Sequence, residues 1–367
     1  MTSSSAEGSS IVSPLSSLPL VSIVVPVFNG ERYLRQSLDS LMAQSYPRCE
    51  VLLMDDASTD GTSAIVASYG NRVTSVRQPE NVGQFANVND GIARARGEYI
   101  AVFHADDLYH PTIVEQEVTY LNRHRDAGAV FTLYVFIDEA GNEYGRLTIP
   151  KEVASDRPLP YACILNALLE YKNRFLCGPS SMVRASVYRE IGLYRGHRYG
   201  IASDLDMWVR IAQKHSIGII REHLMSYRHG HGNSTQRHYH LRTRPEGHFA
   251  ILDECLAHGP RVPVRAEALA AHEAHRAEDQ IMLAINHYIL GDLKSATILL
   301  GRIRQGVLLR SRRVHRFRLV LLHVGLSILV RLPRIPPLAN ACYRRWHVKT
   351  PPTREACWNG VSFGWPF

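Results

Sequence analysis

Two clusters of carboxylates each follow directly on a short apolar segment. Asp106 and Asp107 come just after Glu98–Phe103, and Asp55, Asp56 and Asp60 come after Glu50–Met54. Neighbouring carboxylates repel unless a cation or solvent compensates them. Hard divalent cations such as Mg2+ or Mn2+ take carboxylate oxygens and keep coordination positions open for phosphate. Asp106 and Asp107 therefore point to a cation meeting a polyphosphate, against the plainer reading of an Asp pair capping a helix in a surface loop. The other cluster has an EF-hand look, with Asp56, Ser58 and Asp60 ahead of Gly61. The twelfth position from Asp56 is Ala67, where calcium requires a bidentate Glu, so calcium is rejected. A capped turn, or a contact to the base and ribose of a nucleotide, remains open for that cluster.

The elements that must hold these groups can be read from hydrophobic period. Val21–Phe28 is continuous and β-branched, the pattern of a strand buried on both faces. Glu50–Met54, Val73–Arg77, Glu98–Phe103 and Ala129–Phe136 read as further strands. Between them Glu31–Gln44, Thr62–Tyr69, Phe85–Arg96 and Pro111–Arg123 read as helices, the first capped by Asn29 and the last with Pro111 in its first turn. This alternation predicts an α/β fold with a mostly parallel sheet covered on both faces. Ligands of such sheets bind outside the carboxyl ends of the strands. Asn29, Asp55–Asp60 and His104–Asp107 all fall at those ends. Beyond them residues 140–180 look irregular, Ser203–Lys214 reads as helix, His223–Gln236 is polar and rich in His and Gly, and 245–309 is helical in pattern.

In order and spacing, several segments resemble the inverting family 2 glycosyltransferases of the GT-A fold. They are Val21–Asn29 (VSIVVPVFN), Asp55–Thr62 (DDASTDGT), Asn81–Gly83, Gly97–Phe103 (GEYIAVF), Ala105–Leu108 (ADDL), Ser203–Trp208 (SDLDMW) and Tyr227-Arg228. The resemblance spans roughly residues 20–235. It implies a nucleotide-sugar donor, a UDP-sugar first among them, and a Mn2+ or Mg2+ ion. It places Pro26, Phe28 and Asp56 at the nucleotide base, with Asn29, Asn81 and Gly83 beside them. Asp106 and Asp107 would hold the metal, joined by His231, and Arg228 would neutralise phosphate. Asp204 would be the catalytic base, with Asp206 its rival; on one helix the two point about 200° apart, so both cannot face one cleft. The sequence departs from the family where His104 stands at the Asp that opens the metal motif, a place from which it could touch ribose or phosphate, and where Ser203 stands at a frequent Glu. Those two departures are the support for an alternative, a catalytically inactive relative that still binds a sugar nucleotide. A nucleotidyltransferase is disfavoured, because Val24–Glu31 holds one Gly and no Lys.

Composition bounds the rest. Of 367 residues 45% are hydrophobic and 21% charged, ordinary for a folded chain. The six cysteines are scattered without a CxxC pair, which argues against a zinc ribbon and a dense disulfide framework and fits a reduced, cytoplasmic setting. His229, His231, His238 and His240 invite a zinc site, against a solvated loop, but lack a Cys or Glu at regular spacing. The formal charge of +8 is uneven: up to Asp292 there are 28 basic against 33 acidic residues, whereas Lys294–Arg354 holds fourteen Lys or Arg and no acid. Leu319–Val330 is too short to span a bilayer and is flanked by arginines. It reads as a segment lying on an anionic membrane at the inner face of the cell, or as a packing helix; nucleic acid ranks third. The expected organisation is a disordered leader at 1–19, a GT-A domain at 20–240, a helical extension at 241–310 and a basic tail at 311–367. The partners expected are the sugar-nucleotide donor and a saccharide or lipid-linked acceptor.

Overall fold

The computed structural model describes residues 17–229, 241–303, 305–308 and 313–332. The expected leader lies almost wholly outside these residues, as does most of the basic tail.

Nine strands of the described residues form one sheet in the order β3-β2-β1-β4-β8-β6-β9-β5, with β7 paired to β6. The first four in that order are β3 (Thr74–Arg77), β2 (Cys49–Asp55), β1 (Val21–Val27) and β4 (Tyr99–Val102), all parallel. Residues in β1 alternate between the two cores: Val21, Ile23 and Val25 face one layer and Val24 the other. Helices α1 (Leu34–Met42), α2 (Thr62–Ala67) and α3 (Gln84–Arg94) connect these strands. Helix α3 presses closely on the sheet because it carries Gly91; a methyl there would meet Val24 Cγ1 at 2.5 Å and Met54 Cγ at 2.9 Å.

Past β4 the sheet is mixed. β5 (Leu108–Tyr109) pairs antiparallel with β9 (Ser216–Arg228), and β8 (Ser181–Arg184) runs antiparallel between β4 and β6 (Ala127–Ile137). β6 and β9 are parallel, with register shifts about Thr132–Tyr134. Helix α4 (Ile113–Arg123) covers this half, burying Ile113, Val114, Val118 and Leu121.

Three expectations are corrected here. The stretch 140–180 is not irregular, since it holds β7 (Glu143–Arg146) and the helix α5 (Tyr161–Tyr171). α5 buries seven of its eleven residues. A helix apolar nearly all round has no amphipathic period to read. The polar look of His223–Arg228 conceals the end of β9, which buries Leu224, Met225 and Arg228 beyond exposed Arg221 and Glu222. Asn29 does not cap α1: that helix starts five residues later, behind Tyr33, while Asn29 turns the chain at φ 52°.

Helices α6 (Ala185–Ile191), α7 (Gly196–Tyr199) and α8 (Ser203–Ala212) follow β8. α8 inserts Trp208 into the core, edge-on to Phe131 at 4.9 Å. Beyond β9 the chain is helical, as α9 (Gly247–His258), α10 (Ala266–Ile289), α11 (Leu293–Gly301), α12 (Gln305–Leu308) and α13 (Arg313–Leu329). α10, α11 and α13 share a small core of their own around Ile281, Ala284, Leu300 and Leu326. No helix of the described residues is long and apolar enough to cross a membrane.

Gly91→Ala should lower stability. Overpacking a filled core costs about 1–3 kcal/mol, more than the gain of about 1 kcal/mol from replacing Gly in a helix. Urea unfolding measures the difference, and an unchanged or raised midpoint would mean that α3 does not rest on β1.

Candidate active site

The carboxyl ends of β1, β2 and β4 are stitched into one rim. After β1, Asn29 N–H donates to Ser58 Oγ at 2.9 Å, Gly30 N–H to Thr62 Oγ1 at 2.9 Å and Glu31 N–H to Asp60 Oδ2 at 3.0 Å. In return Asn29 Oδ1 accepts from Thr59 N–H at 2.8 Å. Asp60 also accepts from Thr62 N–H at 3.1 Å. For Ser58 and Asp60 the capped-turn reading holds: this is how the loops after β1 and β2 are fixed to each other.

Asp56 is buried, and both its oxygens are engaged. Oδ1 accepts from Val82 N–H at 2.7 Å and Oδ2 from Gly83 N–H at 3.0 Å, while Asn81 Nδ2 donates to the Asp56 carbonyl at 3.3 Å. Gly83 stands at φ 87°, a conformation that favours glycine and that turns successive amides toward one carboxylate. Beside this loop Phe28 is 50% exposed and Val82 43%, while Pro26 is half-buried. Two large apolar side chains are thus left open beside a fixed polar loop, surface of the kind a flat ring can cover.

The loop after β4 is tighter still. His104 N–H donates to Tyr109 Oη at 2.6 Å, and Ser37 Oγ donates to the His104 carbonyl at 3.0 Å. Tyr109 stacks on Phe103 with ring centres 4.1 Å apart. Asp107 is 1% exposed. Its Oδ1 accepts from Arg228 N–H at 2.8 Å, and its Oδ2 has no hydrogen-bond partner. Burial, and then the neighbouring Asp106, push the Asp107 carboxyl well above the usual range. One oxygen from each of Asp106 and Asp107 and one nitrogen of His104 lie within 4.8 Å of one another. An unpartnered buried carboxylate oxygen facing two more donors fits a divalent cation.

Arg228 is fully buried against this loop. Its Nε donates to the Asp106 carbonyl at 2.9 Å, Nη1 to the carbonyls of Asp138 and Glu139 at 3.1 and 3.2 Å, and Nη2 to Gln36 Oε1 at 2.9 Å. The guanidinium lies 4.5 Å from the centre of the Tyr33 ring. The carbonyls fix the Asp106–Asp107 turn, and the positive charge stands behind Asp107. His231 lies outside the described residues. His229 is described, and its N–H continues the β6–β9 ladder to the Ile137 carbonyl at 3.0 Å.

Asp204 and Asp206, both in the first turn of α8, part company as their spacing requires. Asp206 is buried and held by Arg195, whose Nε lies 2.9 Å from Oδ2, and by Arg210 at 3.1 Å. Asp204 is half-buried and accepts from Leu205 N–H at 2.6 Å. Burial pushes its carboxyl up to about 6. The segment Cys177-Gly178 runs alongside: a methyl on Gly178 would stand 3.8 Å from Asp204 Oδ2. Burial, then Asp107, then Asp204 push the Cys177 thiol up, so this one side chain feels both carboxylates. Cys177 is the site residue that the sequence does not reveal. It follows a helix with no readable period, and nothing in its neighbours marks it.

Comparison with known proteins follows the same residues. The profile of glycosyl transferase family 2 matches residues 22–192. EpsE of Bacillus subtilis, named as a glycosyltransferase, is 32% identical over 207 residues, covering 54% of this chain and 69% of that protein. A glycosyltransferase of Methanocaldococcus jannaschii is 30% identical over 216 residues, 57% of this chain and 71% of its own. Against a Rickettsia felis relative, 32% identical, the match spans only 31% of that protein's length. Among solved structures, S. aureus TarS 1-349 in complex with UDP superposes with a TM-score of 0.57 at 16% identity, covering 89% of this chain and 92% of that 1-349 chain. A mannosyltransferase from Pyrobaculum calidifontis, in complex with GDP-Man and Mn2+, gives 0.53 at 17% identity over 91% of this chain and 89% of its own. The fold is therefore that of the GT-A transferases.

Removing the Asp206 carboxylate leaves two arginines without their shared partner. Asp206→Ala should cost about 3 kcal/mol, the range for breaking a buried ion pair on one side, whereas Asp204→Ala should not lower stability. Denaturant midpoints of the two variants test this assignment, and equal losses would contradict it.

Proposed function

This chain belongs to glycosyl transferase family 2, and from that premise we propose that it moves a sugar from a nucleoside diphosphate to an acceptor hydroxyl with inversion. The observation that carries the reading is that two unlike carboxylates both act on the Cys177 thiol. One is Asp107, deeply buried with an oxygen to spare; the other is Asp204, half-open and raised toward neutrality.

His104, Asp106 and Asp107 would hold the divalent cation, which when bound supplies positive charge to a departing diphosphate. Arg228 keeps the Asp106–Asp107 turn rigid and sets its own charge behind it. Phe28 and Pro26 offer the base an apolar face, while Asp56 holds the Asn81–Gly83 loop along its edge. Asn29 fixes the rim between the base slot and the turn. UDP is the first candidate; structural relatives in complex with UDP and with GDP-Man and Mn2+ support a donor of this class.

Asp204 takes the proton from the acceptor hydroxyl. The acceptor oxygen then forms its bond to the anomeric carbon from the face opposite the diphosphate, whose oxygen leaves with the bonding pair. A base must be ionised when substrate arrives yet basic enough to pull, and a carboxyl near 6 meets both conditions at neutral pH. Saccharides or lipid-linked saccharides of a surface polymer or glycolipid are the acceptors we propose.

The far end of the chain supports a place for this chemistry. Helix α13 buries Leu319 and Leu326 against α10 and α11, yet Leu321 is 71% and Ile328 56% exposed, with Val324 also open. These exposed residues fall on one helical stripe. No acid occurs between Asp292 and Glu355. An apolar stripe in a wholly basic region complements an anionic bilayer surface, and we propose that the enzyme works there, at the cytoplasmic face.

Two outcomes are expected. Asp204→Asn should reduce transfer by about 10²–10⁴-fold, the usual worth of a general base, and wild-type kcat/KM should fall as pH drops through about 6. The stability effect has the opposite sign. A folded carboxyl raised from 3.8 to about 6 favours folding only while protonated, and that contribution is lost as pH rises through 6. Asp204→Asn should thus be more stable than wild type at pH 7 and alike below pH 3.8. An active or destabilised variant at pH 7 would remove Asp204 from its role. For the membrane, the full chain should co-sediment with vesicles containing phosphatidylglycerol but not with phosphatidylcholine alone. The double variant Leu321→Asp/Ile328→Asp should lose that binding with its thermal midpoint unchanged. Retained binding, or capture by nucleic acid instead of vesicles, would reject the lipid surface.

A further inference from the structure

The position where the family's metal motif opens with Asp carries His104 in this chain, and the fold holds it firmly in place. Its main chain is fixed from both sides, by Tyr109 Oη on the N–H and by Ser37 Oγ on the carbonyl. Its side chain faces Asp107, with Nδ1 3.9 Å from Oδ2. That separation is too long for a hydrogen bond. It lies within the maximum of about 4.2 Å that two donors sharing one ion at about 2.1 Å from each can span. Asp107 Oδ2 is buried and has no hydrogen-bond partner, so the gap is not that of a loose pair exchanging with solvent.

We infer that His104 is a ligand of the cation and that it shifts the site from Mg2+ toward Mn2+, an inference that rests on the metal reading above. Two effects act in the same direction. Exchanging a carboxylate for a neutral imidazole removes one negative charge, which weakens hold on any hard cation. The imidazole nitrogen, a softer donor, returns more of that loss to Mn2+, higher in borderline character, than to Mg2+, which demands oxygen ligands in near-ideal octahedral array. The departure from the family pattern is then a change of metal preference within an intact site rather than a mark of lost activity.

The experiment uses the full chain and the metal alone. Mn2+ binding is titrated by electron paramagnetic resonance, Mg2+ is added as competitor, and pulsed spectra are searched for nitrogen hyperfine modulation. His104→Asp and His104→Ala are compared with wild type after thermal midpoints in EDTA show all three folded alike. Wild type should show the nitrogen signal, and His104→Ala should lose it together with about tenfold or more in Mn2+ affinity. His104→Asp should narrow the preference for Mn2+ over Mg2+ by about tenfold. Mn2+ binding without a nitrogen signal, with the same preference in wild type and His104→Asp, would overturn the ligand role while leaving the carboxylate site standing. Failure of wild type to bind Mn2+ at all would overturn both.

Discussion

A carboxylate with one oxygen satisfied and the other left without a partner is costly to bury. Asp107 is held in that state by surroundings that give it no freedom to turn away. Arg228 fixes one oxygen through its main chain and fixes the preceding turn through its guanidinium. Tyr109 and Ser37 hold His104, and β5 ties the loop to the end of β9. Strain of this kind is kept where a ligand repays it.

Asp206 shows the contrast. It is as deeply buried as Asp107 but meets two arginines, so it is complete without a ligand. It braces α8 so that Asp204, two residues earlier, can stay half-open without moving. The same pairing of a finished carboxylate with an unfinished one recurs at Asp55 and Asp107: Asp55 closes on Ser58 N–H and Arg77, leaving the rim rigid. Positioning and chemistry are thus assigned to different acids of one residue type, and environment alone tells them apart.

That distinction also explains which features the amino-acid sequence displays and which it conceals. The parallel half is legible because each of its strands is short, apolar and followed by a polar cluster, and because β1 is buried on both faces. Asp106, Asp107 and Asp204 stand at readable positions. α5 is not legible, since burial on nearly all sides erases the helical period, and with it goes Cys177. The end of β9 is hidden because polar residues such as His223, Ser226 and Arg228 are half-buried or buried there, between β6 and β5. Asn29 looks like a cap because a polar residue stands just ahead of a helical pattern; a positive φ instead turns it toward the Thr59 amide. The guanidinium of Arg228 is expected at a phosphate and is engaged by carbonyls, a use that no spacing in the sequence indicates.

The central claim is that the spare oxygen of Asp107 exists for a cation standing across from Asp204. Crystals of the full chain grown with Mn2+ and UDP, measured at the manganese absorption edge, test it most directly. The account predicts one strong anomalous peak in contact with Asp107 Oδ2, with Asp106 and the diphosphate on its other sides and Asp204 across the cleft. A peak elsewhere on the chain, or a bound diphosphate with Asp107 still facing nothing, would contradict it.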